Sequence, residues 1–210
     1  MLTLYDYTKA PNPRRARIFL AEKGIDVSTI QIDLATGEQF SEDYKAINPR
    51  CTVPALKLEN GYILTENLAI ADYINNLKAD PPLIGVDAVS RADVLQWSSR
   101  IQFEGLMAVA EAFRNTTEGM KGRALPGQLK LAQIPKLAER GHLRLADFYN
   151  RMNDHLETRE FVSGDTYSLA DITLLVCVDF SGWVKARPDV SLTHLQRWYA
   201  MASARPASKA

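Results

Sequence analysis

The sequence predicts an α/β domain followed by an all-helical domain, and three observations carry that expectation. Strand-like and helix-like runs alternate from the N-terminus to Leu77. The stretch Ala79-Asp80-Pro81-Pro82-Leu83-Ile84-Gly85 then breaks the pattern, because paired prolines and a glycine stop a helix. Beyond it, apolar residues recur only at helical spacing. The expected division is an N-terminal domain over 1–80, a linker over 81–85 and a helical domain over 86–210.

Taken in order, Leu2-Thr3-Leu4-Tyr5 reads as a first strand. Asn12-Pro13 matches an N-cap followed by proline at the first helical position, and the helix bearing Ala16, Phe19 and Leu20 ends at Gly24. Val27, Ile30, Ile32 and Leu34 suggest a second strand, and Ser41 to Ile47 a short helix. Ala55 to Glu59, the turn Asn60-Gly61 and Tyr62 to Leu64 form a tight hairpin. Thr65-Glu66-Asn67 opens a helix carrying Leu68, Ala69, Ile70, Tyr73, Ile74 and Leu77. In the second half, Ser90 to Phe113 is a long helical pattern. Another runs from Leu129 to Leu156, with Pro135 marking either a kink or a later start. The polar stretch Asn115 to Arg123 between them is a loop of the kind that carries specificity. Ser168-Leu169-Ala170-Asp171 fits a capping box, with Tyr167 and Ile172 as a staple, and Leu192 to Ala204 is a last amphipathic helix.

Composition narrows the function. The 210 residues carry 25 Lys and Arg against 25 Asp and Glu, so no basic excess points to nucleic acid. No basic leader opens the chain and no run is apolar enough to span a bilayer, so a cytoplasmic location without membrane association is expected. Cys51 and Cys177 are too few for a disulfide framework and lack Cys-x-x-Cys spacing. His142, His155 and His194 are not spaced as ligands, and no metal is expected.

The informative stretch is Arg50-Cys51-Thr52-Val53-Pro54-Ala55-Leu56. Pro54 cannot donate to a sheet ladder, so it belongs at the mouth of the strand, and a cis Val53-Pro54 bond would leave both main-chain groups of Val53 facing outward. Such an edge can pair with an extended, peptide-like ligand. The helix start at Glu66-Asn67 offers orphan N–H groups to a carboxylate, while Glu66 could hold an ammonium. A carboxylate and an ammonium on one carbon describe an amino-acid terminus.

Thr52-Val53-Pro54-Ala55-Leu56 and Glu66-Asn67-Leu68-Ala69-Ile70 resemble the glutathione S-transferase superfamily, as do Leu4-Tyr5 and Ser168-Leu169-Ala170-Asp171-Ile172-Thr173 in the same order. Asn67 stands where Ser is usual and keeps the backbone N–H. The resemblance implies a thioredoxin-like domain followed by an all-α domain, with glutathione as co-substrate and its thiolate attacking a small, apolar electrophile. It also implies a homodimer. Glutathione-dependent disulfide reduction and a non-catalytic binding module are the alternatives.

By the same resemblance, Ala10 or Pro11 occupies the place of the usual catalytic hydroxyl or thiol. Asn12, whose amide can donate to sulfur, is the strongest replacement, with Thr8 and Tyr7 as fallback donors and helix capping as the competing role for Asn12. Glutathione would be held by Asn12, Gln39, Thr52, Val53, Pro54, Glu66 and Asn67, with Arg50 nearby. Phe113, Arg114, Met107 and Met120 would bind the second substrate, with Phe103 as a further wall or as core. Arg14 and Arg15 either raise the potential at the thiolate or form a solvated basic face, the plainer expectation. Cys51 is expected to be a bystander thiol, Cys177 a core residue, and Tyr5 to pack under the sheet.

Overall fold

The computed structural model describes all 210 residues. β1 (Thr3–Asp6), α1 (Pro11–Lys23) and β2 (Ser28–Gln31) open the chain, followed by α2 (Glu42–Ile47), β3 (Ala55–Lys57), β4 (Ile63–Leu64) and α3 (Asn67–Leu77). The sheet order is β2-β1-β3-β4, with β1 parallel to β2 and the other pairs antiparallel. Leu4 lies opposite Leu56, and Tyr5 opposite Ala55. Because side chains alternate across a sheet, the leucines enter a large core with α1 and α3, while Tyr5 and Ala55 join Ile32, Tyr44 and Val53 in a smaller one.

The rest is helical. α4 (Ala88–Arg100), a π-helical turn (Ile101–Leu106) and α5 (Met107–Thr116) form one continuous rod, followed by α6 (Pro135–His155), α7 (Leu169–Ser181) and α8 (Thr193–Ala204). α7 is the centre: every residue from Leu169 to Val178 is buried. Its start is the expected capping box. The Asp171 carboxylate also accepts from Val162 N–H at 2.9 Å and from Trp198 Nε1–H at 2.8 Å, so one buried side chain ties three segments. A Cβ on Gly141 would come within 2.6 Å of the Ala108 carbonyl, which explains a glycine inside α6 where it crosses α5.

Several local expectations are corrected. For Pro135 the later start, one of the two readings left open, is the one found: α6 begins there, with the proline in its first turn. The rod starts at Ala88, capped by Asp87 and Ser90 rather than opened by Ser90. α1 starts at Pro11 with Ala10 as N-cap, which places Asn12 inside the first turn and removes it as the cap. The hairpin is looser than a two-residue turn: Gly61 adopts φ +86°, its N–H bonds the Leu58 carbonyl at 3.0 Å, and β3 ends at Lys57. Gly24 ends α1 in the left-handed region, as read from the sequence.

The sheet and the helices share one core, since α1 packs against α7. The buried Lys23 ammonium donates to Asn75 Oδ1 at 2.7 Å and to the carbonyls of Ala79 and Pro81 at 2.8 and 2.5 Å, fastening the segment that leads into α4.

Candidate active site

The loop between β1 and α1 is built by charge. Arg17 Nη1 donates to Asp6 Oδ1 at 2.5 Å and Nη2 to the Thr8 carbonyl at 3.0 Å, while Gln31 Nε2 donates to Asp6 Oδ2 at 2.7 Å. Gln31 Oε1 accepts from both the N–H and the hydroxyl of Thr8 at 2.9 Å, so that hydroxyl proton is already engaged. Tyr7 is half-buried against the smaller core, and Tyr5 lies within it, edge-on to Tyr44.

Asn12 is exposed, and its Oδ1 accepts from Arg15 Nη2 at 3.0 Å. A guanidinium can only donate, so this contact assigns the oxygen and leaves the Asn12 amide N–H₂ free. Arg15 is buried and donates from Nη1 to Gln102 Oε1, in the π-helical turn, at 3.1 Å. Burial lowers its pKa from 12.5 to about 10, opposed by the charge of Glu66, so it remains cationic at neutral pH. Arg14 pairs with Asp179 at 2.6 Å and donates to the Ser208 carbonyl at 2.8 Å. The solvated basic face is therefore corrected: both cations near the start of α1 are tied to partners from the helical domain.

The bond between Val53 and Pro54 is cis. The Val53 side chain is buried, yet neither its N–H nor its C=O has a hydrogen-bond partner in the chain. Its neighbour is fixed: the Thr52 carbonyl accepts from Tyr44 Oη–H at 2.7 Å and from Asn48 Nδ2–H at 2.8 Å, and Asn48 also reaches Thr52 Oγ1 at 3.2 Å. Gln39 is buried with its Oε1 unpartnered, and Arg50 is exposed. Cys51 is buried, and burial raises its thiol pKa, as befits a bystander.

At the start of α3 the first helical bond runs from Ile70 N–H to the Glu66 carbonyl, leaving the N–H groups of Asn67, Leu68 and Ala69 unpaired. Glu66 is exposed at the N-cap, and Asn67 is buried with its Oδ1 unpartnered.

Across the cleft, Phe113 packs edge-on against Phe180 and Trp183, with ring centres 5.6 and 5.4 Å away. A small cleft of about 70 Å³ runs between Phe180 and Trp183 on one side and Thr8, Ala10 and Pro11 on the other, with Phe113 packed behind the two aromatics rather than lining it. Phe103 and Met107 are 64% and 41% exposed on the rod, so neither is core. Met120 is half-buried in the short turn Glu118–Met120. Arg114 donates to the Arg123 carbonyl at 2.8 Å, and burial, then the nearby Arg123 charge, lowers its pKa. The sequence reading missed Gln31, Tyr44, Asn48, Gln102, Phe180 and Trp183. Only the Phe180 and Trp183 pair, three residues apart, left a trace in the pattern.

Models of the glutathione S-transferase N-terminal and C-terminal domains match residues 10–77 and 127–206. Glutathione S-transferase 2 of Saccharomyces cerevisiae is 30% identical over 210 residues, covering 99% of this chain and 88% of that protein. The crystal structure of Gtt2 from that yeast gives a TM-score of 0.90 at 30% identity, over 99% of this chain and 98% of the other. A glutathione S-transferase domain-containing protein from Marinobacter aquaeolei VT8 gives 0.91 at 30% identity, over 98% and 99%. With both domain models matched in order and a relative aligned from end to end, the chain belongs to the glutathione S-transferase superfamily and is a glutathione transferase.

Proposed function

We propose that glutathione lies extended in this cleft, its central residue pairing with the N–H and C=O of Val53 as a short added strand. The observation that carries this reading is the pair of unsatisfied Val53 main-chain groups on an otherwise buried residue. The γ-glutamyl carboxylate sits on the free N–H groups that open α3, and its ammonium sits between Glu66 and the unpartnered Asn67 Oδ1. Gln39 and Thr52 serve the glycine end, with Pro54 shaping the edge.

The Asn12 amide donates to the sulfur, held in that orientation by Arg15, whose charge further favours thiolate over thiol. Thr8 is a weaker candidate because its hydroxyl donates to Gln31, and Tyr7 is the remaining donor. The thiolate then attacks a small electrophile whose apolar body rests on Phe113, with Met107, Arg114 and Met120 around it. The rate gain comes from thiolate activation and proximity. Residues 1–80 thus bind glutathione, 81–85 connect, and 86–210 supply the second substrate's walls. A cytoplasmic homodimer acting in detoxification is the companion reading, supported by the family likeness; no helix is long and apolar enough to cross a membrane.

Calorimetric titration of glutathione into the parent protein and Glu66→Ala tests the pose. The expected result is binding by the parent, weakened about tenfold or more in the variant through loss of a charge-assisted contact. A parent protein that does not bind glutathione would overturn it.

A further inference from the structure

Arg14, Arg15 and Arg17 share the first turns of α1, and their partners differ in kind. Arg14 meets the Asp179 carboxylate at 2.6 Å and Arg17 the Asp6 carboxylate at 2.5 Å, so each of those charges is neutralised where it stands. Arg15, buried between them, is held by amide oxygens alone. Its Nη2 donates to Asn12 Oδ1 at 3.0 Å and its Nη1 to Gln102 Oε1 at 3.1 Å, while its Nε has no partner. A buried cation held by neutral groups keeps its field, whereas one held by a carboxylate loses most of it to that partner.

Two titratable groups act on Arg15 from beyond hydrogen-bond reach, Glu66 and Cys177. Burial pushes the Cys177 thiol up to about 12, so it carries no charge at neutral pH. Glu66, in the proposed pose, faces the γ-glutamyl ammonium. Neither takes the place of a contacting carboxylate.

Gln102 comes from the other domain, 87 residues along the chain from Arg15. It lies half-buried in the π-helical turn, where the Met107 N–H bonds the Gln102 carbonyl. One extra residue in a helical turn rotates the side chains before it, relative to those after it, by roughly 100°. The turn therefore lets Gln102 face α1 while α5 packs on α6. Without this acceptor the guanidinium would keep Asn12 as its one hydrogen-bonded anchor and could turn about that contact.

We infer that Gln102 is a positioning residue for the thiolate: a neutral acceptor from the helical domain that fixes Arg15, and through it Asn12, without cancelling the Arg15 charge. Thiolate activation is then a property of both domains and not of residues 1–80 alone. The inference rests on the proposed placement of the glutathione sulfur beside Asn12.

Two substitutions test the two halves of that statement. Gln102→Met keeps the side-chain length and removes the acceptor, whereas Gln102→Glu keeps an acceptor and supplies the carboxylate that Arg15 lacks. Thiolate absorbance of bound glutathione is followed against pH in each. Calorimetric binding of S-methylglutathione, which has no thiol, controls for the pose. Both variants should raise the bound thiol pKa by about one unit, a roughly tenfold loss of thiolate below that pKa, and bind S-methylglutathione within about twofold of the parent. A thiol that titrates within about 0.3 unit of the parent in either variant overturns the inference. So does a loss of S-methylglutathione binding of about tenfold, which would mark a packing role. If Gln102→Met does not fold, Gln102→Glu, which gives Arg15 an ion-pair partner, decides alone. A parent that binds S-methylglutathione but does not lower the thiol pKa of bound glutathione overturns the thiolate reading as well, and one that binds neither overturns the pose.

Discussion

At the scale of single residues, the hydrogen bond from Arg15 to Asn12 turns an ambiguous side chain into a directed donor. Asparagine near a helix start is most simply a cap, and only the acceptor contact at 3.0 Å from a group that cannot itself accept shows that its amide is free. Asn12→Ala is therefore expected to lower turnover more than glutathione affinity, and to raise the bound thiol pKa by about one unit on loss of one hydrogen bond. Thiolate absorbance followed against pH in parent and variant checks this; identical titration curves would remove Asn12 from thiol activation. Arg15→Lys keeps a positive charge but cannot fork between Asn12 and Gln102. Its turnover should fall several-fold while glutathione affinity changes little, as steady-state kinetics and calorimetry would report.

Among the elements, those with purely local determinants followed the sequence most closely. Gly24 ends α1 and the Ser168–Asp171 box opens α7, because caps are settled within a few residues. What the box does beyond capping was not legible, since its partners Val162 and Trp198 come from other segments. Asp171→Ala leaves those buried donors and the Ser168 N–H unsatisfied and should cost about 3 kcal/mol or more, measurable by urea unfolding. The π-helical turn is invisible to a periodicity count, although it places Gln102 on Arg15 and lets Gly105 pass close to its neighbours. A Cβ there would lie 2.7 Å from the Phe148 ring and 2.8 Å from Cys177 Sγ. Gly105→Ala should therefore destabilise by about 1–3 kcal/mol through overpacking, again read from urea unfolding.

For the molecule as a whole, charged ties reinforce a core shared by the sheet and the helices. Arg14 with Asp179 and Arg205 with Glu22 join the sheet domain to the helical domain, and Lys23 fastens the start of the linker between them. A single cooperative unfolding transition is expected. Fluorescence of Trp97, Trp183 and Trp198, all in the helical half, should report the same midpoint as hydrogen exchange at β1 and β3. Separate midpoints would show that the interface is not cooperative. The homodimer reading predicts a sedimenting mass of twice 23.5 kDa, and a monomer mass would sink it.

Sequence alone determined the fold class, because alternating strand and helix signals, a proline-rich break and a purely helical remainder are local patterns that need no partner to be read. It also marked Val53-Pro54 and Glu66-Asn67, where residue type restricts the backbone or opens a helix. Tertiary structure decided which charges are spent and which are free. Arg15 meets Gln102 from 87 residues away, Arg123 meets Leu34 from 89, and Arg14 meets Asp179 from 165. Such pairings depend on how α1, the rod and the α5–α6 loop pack, and the energy of a buried or crowded cation depends on that packing rather than on its neighbours in the chain.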